Sequence, residues 1–226
     1  MASSPLAWRL QPLQAMARWP ADAPLAAFIS GDQGDWSRWS VLALPGTWRT
    51  LPSNAERAEA LAWLRGLAHT PQPRGGEARM PGDGGWILQC GYELGAALEP
   101  ATRAGAREAS PWPLAQAAPI LAAAVHDAGS GRWFRVGGEH ADWARIEQAM
   151  EVAAPSSRFS IDRPHPVSDD QAYAALVART VQLIHAGDLF QANVARLWKA
   201  VGRGSPRAFA LAATVSYTHL TLPTKA

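Results

Sequence analysis

Cysteine and lysine are scarce in this chain of 226 residues, and each shortage excludes a class of site or partner. Cys90 is the single cysteine, so the chain forms no intrachain disulfide and no cysteine-based zinc site, which suits a reducing cytoplasm. Only two lysines accompany 19 arginines, and the formal net charge is +2. Because the arginines are scattered rather than clustered, we expect no nucleic-acid partner.

Long apolar runs are absent as well. The N-terminus contains no continuous apolar stretch of the kind that forms a signal peptide. The longest apolar-rich run, residues 113–125, is too short to span a bilayer and is interrupted by Gln116 and Pro119. With 48% hydrophobic and 18% charged residues, the composition is that of a globular protein. We therefore expect a cytoplasmic protein with no membrane partner.

The most informative stretch is residues 168–198, SDDQAYAALVARTVQLIHAGDLFQANVARLW. Ser168 and Gln171 have the spacing of a capping box, in which each side chain satisfies a free backbone N–H at the start of a helix. Gly187 stands where a helix usually ends, because glycine enters the left-handed conformation without steric cost. Between them an apolar stripe recurs near helical spacing at Tyr173, Leu176, Val177, Val181 and Ile184. The pattern predicts one capped helix.

From Leu189 the period of the pattern changes to two, which predicts a β-strand over residues 189–200. Gln191 and Asn193 fall on one face of this strand. Two side-chain amides on an otherwise apolar strand indicate either an exposed sheet face or a binding site, and patterning leaves both open.

Strands, helices and turns follow one another along the rest of the chain. The predicted strands are residues 24–30, 39–44, 86–90, 121–127 and 132–136, of which the first two and the last two form hairpins. A helix is predicted over residues 53–69, begun by a capping box of Ser53 and Glu56, and a shorter one over residues 143–150. Residues 70–85, rich in proline and glycine, predict a mobile loop, and residues 101–112 predict a polar surface loop.

Three apparent catalytic motifs have the wrong spacing or setting. Glu93 and Glu99 have no metal-spaced partners, which favours structural hydrogen bonding over acid–base work. His126 and Asp127 lie near Ser130, but at a turn and without a nucleophile elbow, so a catalytic triad is disfavoured. Neither the Walker pattern nor the dinucleotide fingerprint fits the glycines at Gly84, Gly85, Gly91 and Gly95.

Two further motifs, and one hairpin, resemble a known enzyme family. Residues 184–196, IHAGDLFQANVAR, resemble I-x-A-G-D-[IL]-[FY]-Q-x-N-[LV]-x-x-R, which opens the chorismate-binding domain of aminodeoxychorismate synthase component I and, in variant form, of anthranilate synthase component I. Residues 84–99, GGWILQCGYELGAALE, resemble a second motif of this family, G-G-x-x-G-x-x-G-Y-[DE]-L-G-x-x-[LF]-E. The hairpin over residues 24–48, with its Ser-Arg-Trp-Ser-Val-Leu run, is similar to the N-terminal hairpin of the family.

The resemblance implies an α+β fold. Residues 1–153 would form an N-terminal mixed α/β subdomain, residues 154–167 a linker, and residues 168–214 the first helix and strand of an αββα chorismate-binding domain. Residues 215–226 depart from the family's continuation and resemble translated sequencing-adapter read-through, so we expect a non-native tail. The resemblance also implies chorismate as substrate, ammonia from a glutamine amidotransferase subunit, and Mg²⁺ in the full-length protein, with no metal ligand among the residues of this chain. Some family members also bind tryptophan.

Four positions carry over as candidate site residues. Gln191 is the one with a mechanistic role, because nitrogen-adding members have glutamine there and members that add water have a lysine base. Asn193 is its neighbour and would line the substrate site. Ser30 and Arg38 match the amino-acid pocket of tryptophan-binding members; the alternatives are a strand-end serine and a surface salt-bridge partner.

The family's downstream motifs P-I-K-G-T and G-x-x-T-G-A-P-K do not occur in the chain, so we expect the chain by itself to be inactive. Asn193 and the Gly-Tyr-Glu-Leu-Gly spelling of residues 91–95 favour the aminodeoxychorismate branch of the family. The anthranilate branch and a non-catalytic amino-acid-binding module remain alternatives.

Overall fold

The computed structural model describes residues 3–31, 37–68, 80–99, 101, 110–138, 140–154 and 158–217, the last three as backbone alone. The chain divides into two compact units, Met1–Pro155 and Ser156–Ala226, here called unit 1 and unit 2. Unit 1 contains β1 (Ser4–Leu6), α1 (Pro12–Arg18), β2 (Ala26–Phe28), β3 (Trp39–Pro45), β4 (Arg49–Leu51), α2 (Arg57–Ala68), β5 (Trp86–Cys90), α3 (Glu93–Leu98), β6 (Ala115–Asp127), β7 (Arg132–Gly137) and α4 (Trp143–Met150). Unit 2 contains β8 (Phe159–Ile161), β9 (His165–Pro166), α5 (Asp170–Ala186), β10 (Trp198–Lys199), β11 (Gly202–Gly204) and α6 (Pro206–Tyr217). The fold is α+β, as expected.

The antiparallel sheet of unit 1 is built around β6, a strand of 13 residues. Residues 120–127 of β6 lie between β3 and β7, with β2 and β1 outside them. Residues 115–119 lie between β4 and β5. Pro119, which has no N–H to donate, falls where β6 changes partners, and the register of β3 shifts beside it, between Leu44 and Pro45.

Other parts of unit 1 pack on both faces of this sheet. On one face the ring of Trp8 lies 5.2 Å from that of Trp133 in β7 and 6.3 Å from that of Trp143 in α4. On the other face the chain turns at Gly82, where an added Cβ would lie 3.0 Å from the Cβ of Ala123. The φ angle of +84° at this glycine adds a second reason for the absence of a side chain.

Several predictions for unit 1 are confirmed. The two hairpins, the strand over residues 86–90 and the short helix over residues 143–150 form as expected. The start of α2 was predicted wrongly. Residues 53–54 form a turn, closed by the bond from the Ala55 N–H to the Pro52 carbonyl, and the helix begins at Arg57. The carboxylate of Glu59 accepts from the Glu56 N–H at 2.8 Å, so the capping interaction uses residues three positions further on.

Unit 2 departs further from the predictions. The N-cap of α5 is Asp169 rather than Ser168, whereas its C-cap is Gly187 in the left-handed conformation, as predicted. The strand predicted over residues 189–200 forms only at Trp198–Lys199, which pairs with β9. The intervening residues 189–197 have no β-partner within the described chain, and an extended segment without one forms no ladder.

The predicted linker, residues 154–167, contributes β8 and β9 to unit 2, where they pair with β11 and β10. Three predicted segments lie wholly or partly outside the described residues: residues 70–79 of the mobile loop, most of the loop at 101–112, and residues 218–226 of the tail. No helix within the described ranges is both long enough and apolar enough to span a bilayer.

Candidate functional site

The stretch that carries Gln191 and Asn193 begins where α5 ends. The N–H of Gly187 donates to the carbonyl of Ile184 at 3.1 Å, and the N–H groups of Asp188 and Leu189 both reach the carbonyl of Leu183, at 3.0 and 3.3 Å. Glycine permits the left-handed turn (φ +83°) that brings these donors back onto the helix. The chain therefore leaves α5 with a defined direction.

The following residues, 189–196, are here called the amide segment. The side chains of Gln191 and Asn193 are exposed, and neither hydrogen-bonds to another described residue. Phe190 is 98% exposed beside them. Two exposed side-chain amides next to an exposed aromatic ring could bind a planar polar molecule through hydrogen bonds and stacking.

The amide segment ends at Arg196, whose side chain is only 16% exposed. Its guanidinium pairs with the carboxylate of Asp170 and donates to the carbonyl of Ser168 at 3.0 Å. The same group lies over two aromatic rings, 5.4 Å from the centroid of Tyr173 and 5.1 Å from that of Trp198. Arg196 thus joins the end of the amide segment to the beginning of α5, a role that residue spacing did not reveal.

Ser30 and Arg38 lie at the loop end of the β2–β3 hairpin, Ser30 just after β2 and Arg38 just before β3. The hydroxyl of Ser30 donates to the carbonyl of Trp39 at 2.6 Å, and the Ser30 N–H donates to the hydroxyl of Ser40 at 3.1 Å. Arg38 forms a bidentate pair with Asp127, at 2.9 and 3.1 Å, so it has the salt-bridge partner that the sequence left as an alternative. The assignment of both residues to an amino-acid pocket stays a prediction.

Electrostatics around Asp127 are dominated by this pair. The Arg38 guanidinium, helped by bonds from the Ser130 hydroxyl and the Gly129 N–H, lowers the pKa of Asp127 from 3.8 to about 2, although burial opposes the shift. The carboxylate in turn raises the pKa of Arg38. The site is a charge-neutral structural link between the β2–β3 hairpin and the β6–β7 turn.

A shallow cleft lies at the corner between β5 and α3. Its volume is about 280 Å³, and its walls include Tyr92, Glu93 and Trp112. Tyr92 is 96% exposed and Trp112 is 71% exposed. Gln89 and Gln116 form its floor, with the Gln116 amide donating to the Gln89 carbonyl oxygen at 3.2 Å. Sequence patterning did not predict this cleft, since only the pairing of β5 with β6 brings the two amides together.

No acidic, histidine or cysteine cluster of metal-binding size occurs in the part of the chain that the structure describes.

Comparison with known proteins found a similarity in structure and none in sequence. No family model matches the chain, and no curated protein matches its sequence. The crystal structure of anthranilate synthase component I from Streptococcus pneumoniae superposes with a TM-score of 0.60 at 18% sequence identity, covering 95% of this chain.

The chain has the fold of part of anthranilate synthase component I. It spans about half of that enzyme, covering 52% of its length. Both units fall within the likeness, because 95% of the present chain is covered. At 18% identity, the match to anthranilate synthase component I is a statement about fold alone.

Proposed function

We propose that this chain is the N-terminal part of a component I enzyme that introduces nitrogen from ammonia into chorismate. The observation that carries the proposal is the shared fold with anthranilate synthase component I across nearly the whole chain. The family motif ending at Arg196 supports it independently, since in this structure that motif spans the end of α5 and the exposed amides beyond it.

The proposed role of Gln191 follows from the chemistry of an amide. A neutral carboxamide donates and accepts hydrogen bonds but does not remove a proton, so it can orient chorismate or ammonia without activating water. A lysine of lowered pKa at the same place could act as a base toward water. Asn193 would add a second amide contact to the same substrate.

We further propose that turnover needs groups beyond this chain. Mg²⁺, the glutamine amidotransferase subunit and the motifs absent from this sequence belong to the whole enzyme, of which the chain corresponds to about half. Purified by itself and given chorismate, Mg²⁺ and ammonium, the chain should form no aminated product on chromatography. Turnover in this assay would contradict the proposal that the absent motifs are required.

Of the two related activities we favour aminodeoxychorismate synthase, because Asn193 and the Gly-Tyr-Glu-Leu-Gly sequence of residues 91–95 resemble that branch of the family. Anthranilate synthase is the second candidate, because the structural likeness is to that enzyme. Product analysis distinguishes them in a protein that combines this chain with the downstream motifs, supplied with the amidotransferase subunit and glutamine. 4-Amino-4-deoxychorismate supports the first and anthranilate the second.

The test on the chain itself is saturation-transfer NMR with chorismate, which detects weak binding. We expect transfer to chorismate from the wild-type chain, and a loss of more than half of it when Gln191→Ala and Asn193→Ala are combined. Gln182→Ala is the matched control, since Gln182 is another exposed amide but lies on α5, outside the amide segment. An absence of transfer from the wild type, or equal transfer from the double variant, would refute the proposal.

A further inference from the structure

The amide segment is held mainly at its two ends. At its start, the Leu189 N–H bonds to the carbonyl of Leu183 near the end of α5. At its end, Arg196 bonds to Asp170 and Ser168 at the beginning of the same helix. Between these anchors, one long contact of 3.5 Å joins the Tyr173 hydroxyl to the carbonyl of Val194. The exposed amides of the segment therefore depend on the anchors for their position.

The two anchors lie near opposite ends of α5. From Leu183 back to Asp170, α5 rises by about 20 Å. A chain from Leu189 to Arg196 reaches about 25 Å when fully extended. A segment tied at both ends to the same helix has fewer conformations than a free one, so fixing its two ends restricts its middle as well.

Arg196 is the anchor whose side chain makes several different contacts at once. Its guanidinium lies within cation–π distance of Tyr173 and Trp198, and one of its N–H groups donates to Asp170 and Ser168. Within the described part of the chain, its Nε–H is buried and has no hydrogen-bond partner. A side chain that leaves one buried donor unsatisfied is held there by its other contacts, because a freely moving arginine would turn that donor toward water.

We infer that Arg196 is the positioning residue of the amide segment, holding Gln191 and Asn193 in place before any ligand arrives; its role toward chorismate rests on the proposed function. Pre-ordering of this kind removes the entropy loss that a mobile segment would suffer on binding. Lysine cannot replace Arg196 fully. An ammonium group is not planar, so it cannot hydrogen-bond to an acceptor at its edge while stacking on an aromatic ring with its face.

The first measurement is ¹⁵N relaxation of the whole 226-residue chain. In the wild type we expect backbone order parameters across residues 190–195 near the rigid value of about 0.85. Arg196→Met should lower them below about 0.6, the range of flexible backbone. Arg196→Lys should give intermediate values. Unchanged order parameters in the methionine variant would overturn the inference.

Arg203→Met is the matched control. Arg203 also lies in unit 2 and pairs with an aspartate, Asp162, at 3.2 Å, but its side chain is 69% exposed. Its replacement should leave residues 190–195 unchanged. An equal loss of order in this control would show that any arginine of unit 2 has the effect, and would also overturn the inference.

A chorismate titration separates this inference from the proposed function. If Arg196 acts through the amides, Arg196→Met should weaken saturation transfer to chorismate several-fold in the wild-type background. It should weaken it little further in the Gln191→Ala, Asn193→Ala background. Equal weakening in both backgrounds contradicts positioning. If the wild type transfers nothing while Arg196→Met alone loosens the segment, the proposed function fails and the anchoring role stands.

Discussion

Asp127 is the residue through which two distant turns of unit 1 are joined. It ends β6, accepts two bonds from Arg38, which is 89 residues away, and also accepts from Ser130 and Gly129 in the following turn. Its side chain is 9% exposed and that of Arg38 is 57% exposed, so the pair is partly screened by water. The carboxylate nevertheless makes four polar contacts, and its removal should be measurable.

Replacing Asp127 with Asn should lower the free energy of unfolding at pH 7 by up to about 2 kcal/mol. The folded-state pKa of about 2 lies below the unfolded value of 3.8, so this stabilisation is present above pH 4 and disappears as the pH falls toward 2. Urea unfolding at pH 7 and pH 2.5 should show the difference between the wild type and Asp127→Asn becoming smaller at the lower pH. Asp162→Asn is the control, since its exposed pair with Arg203 should contribute less than about 0.5 kcal/mol.

His126, beside Asp127, should make unit 1 sensitive to mild acid. It is 6% exposed and its ring lies 5.0 Å from that of Trp133. Burial lowers the pKa of His126 below 6.5, and the charge of Asp127 offsets this only in part. Below pH 6.5, His126 therefore becomes protonated in the unfolded chain while it stays neutral in the folded chain. The free energy of unfolding then decreases as the pH falls, by at most about 1.4 kcal/mol per pH unit.

Urea unfolding between pH 7.5 and 5.5 checks this dependence. In His126→Phe the free energy of unfolding should change less over this range than in the wild type. Parallel pH profiles for the two proteins would show that another group is responsible.

Two glycines of unit 1 with positive φ should respond differently to alanine. At Gly137 (φ +89°), an added Cβ would lie 2.8 Å from the Leu121 carbonyl oxygen and 2.9 Å from the Ala122 Cα. At Gly131 (φ +66°), it would meet no atom within 4 Å. Gly131→Ala should cost about 1 kcal/mol from backbone strain alone, whereas Gly137→Ala should cost more than about 3 kcal/mol. Thermal unfolding of both variants measures the difference, and equal costs would mean that the backbone beside Gly137 yields to the methyl group.

At the scale of elements, the N-cap of α5 is Asp169 and not the predicted Ser168. Asp169 accepts from the N–H groups of Gln171 and Ala172, at 2.8 and 3.0 Å. Ser168 contributes its carbonyl to Arg196. The N-cap is therefore one residue later than the Ser168–Gln171 pattern predicted, and aspartate is as favourable as serine at this position.

Asp169→Ala should destabilise α5 by about 1 kcal/mol, because two N–H groups lose their acceptor. Ser168→Ala should change its stability by only a few tenths of a kcal/mol, since the carbonyl remains. Urea titrations followed by the ¹³Cα chemical shifts of residues 170–175 measure the helix locally. A larger loss in Ser168→Ala would restore serine as the cap.

At the scale of the whole molecule, the core formed by the described residues lies in unit 1. Every fully buried apolar side chain among the described residues lies between Ala15 and Met150. In unit 2 the described helix α5 has no buried residue, and large apolar side chains such as Leu197 (62% exposed) and Trp198 (52% exposed) face solvent. Hydrophobic burial is the main favourable contribution to folding, so the two units should differ in intrinsic stability.

We expect residues 1–154 expressed alone to unfold cooperatively, with a midpoint within a few degrees of that of the whole chain. Residues 156–226 alone should bind a hydrophobic dye and unfold less cooperatively and at a lower midpoint, because the described residues among them include no buried apolar side chain. Circular dichroism melts and dye fluorescence of the two pieces test this. A sharp transition in the second piece would mean that unit 2 has a core of its own.

Local signals in the sequence determined the hairpins, the helix end at Gly187 and the short helix α4, because contacts between near neighbours in the chain decide such features. Tertiary structure alone decided the position of β6 between two sets of partners, the pairing of Arg38 with Asp127, and the cleft floored by Gln89 and Gln116. It also decided that residues 189–197 form no strand, although their alternation is that of one. A strand depends on hydrogen bonds to another segment, and a residue's own neighbours in sequence do not reveal whether that segment is there.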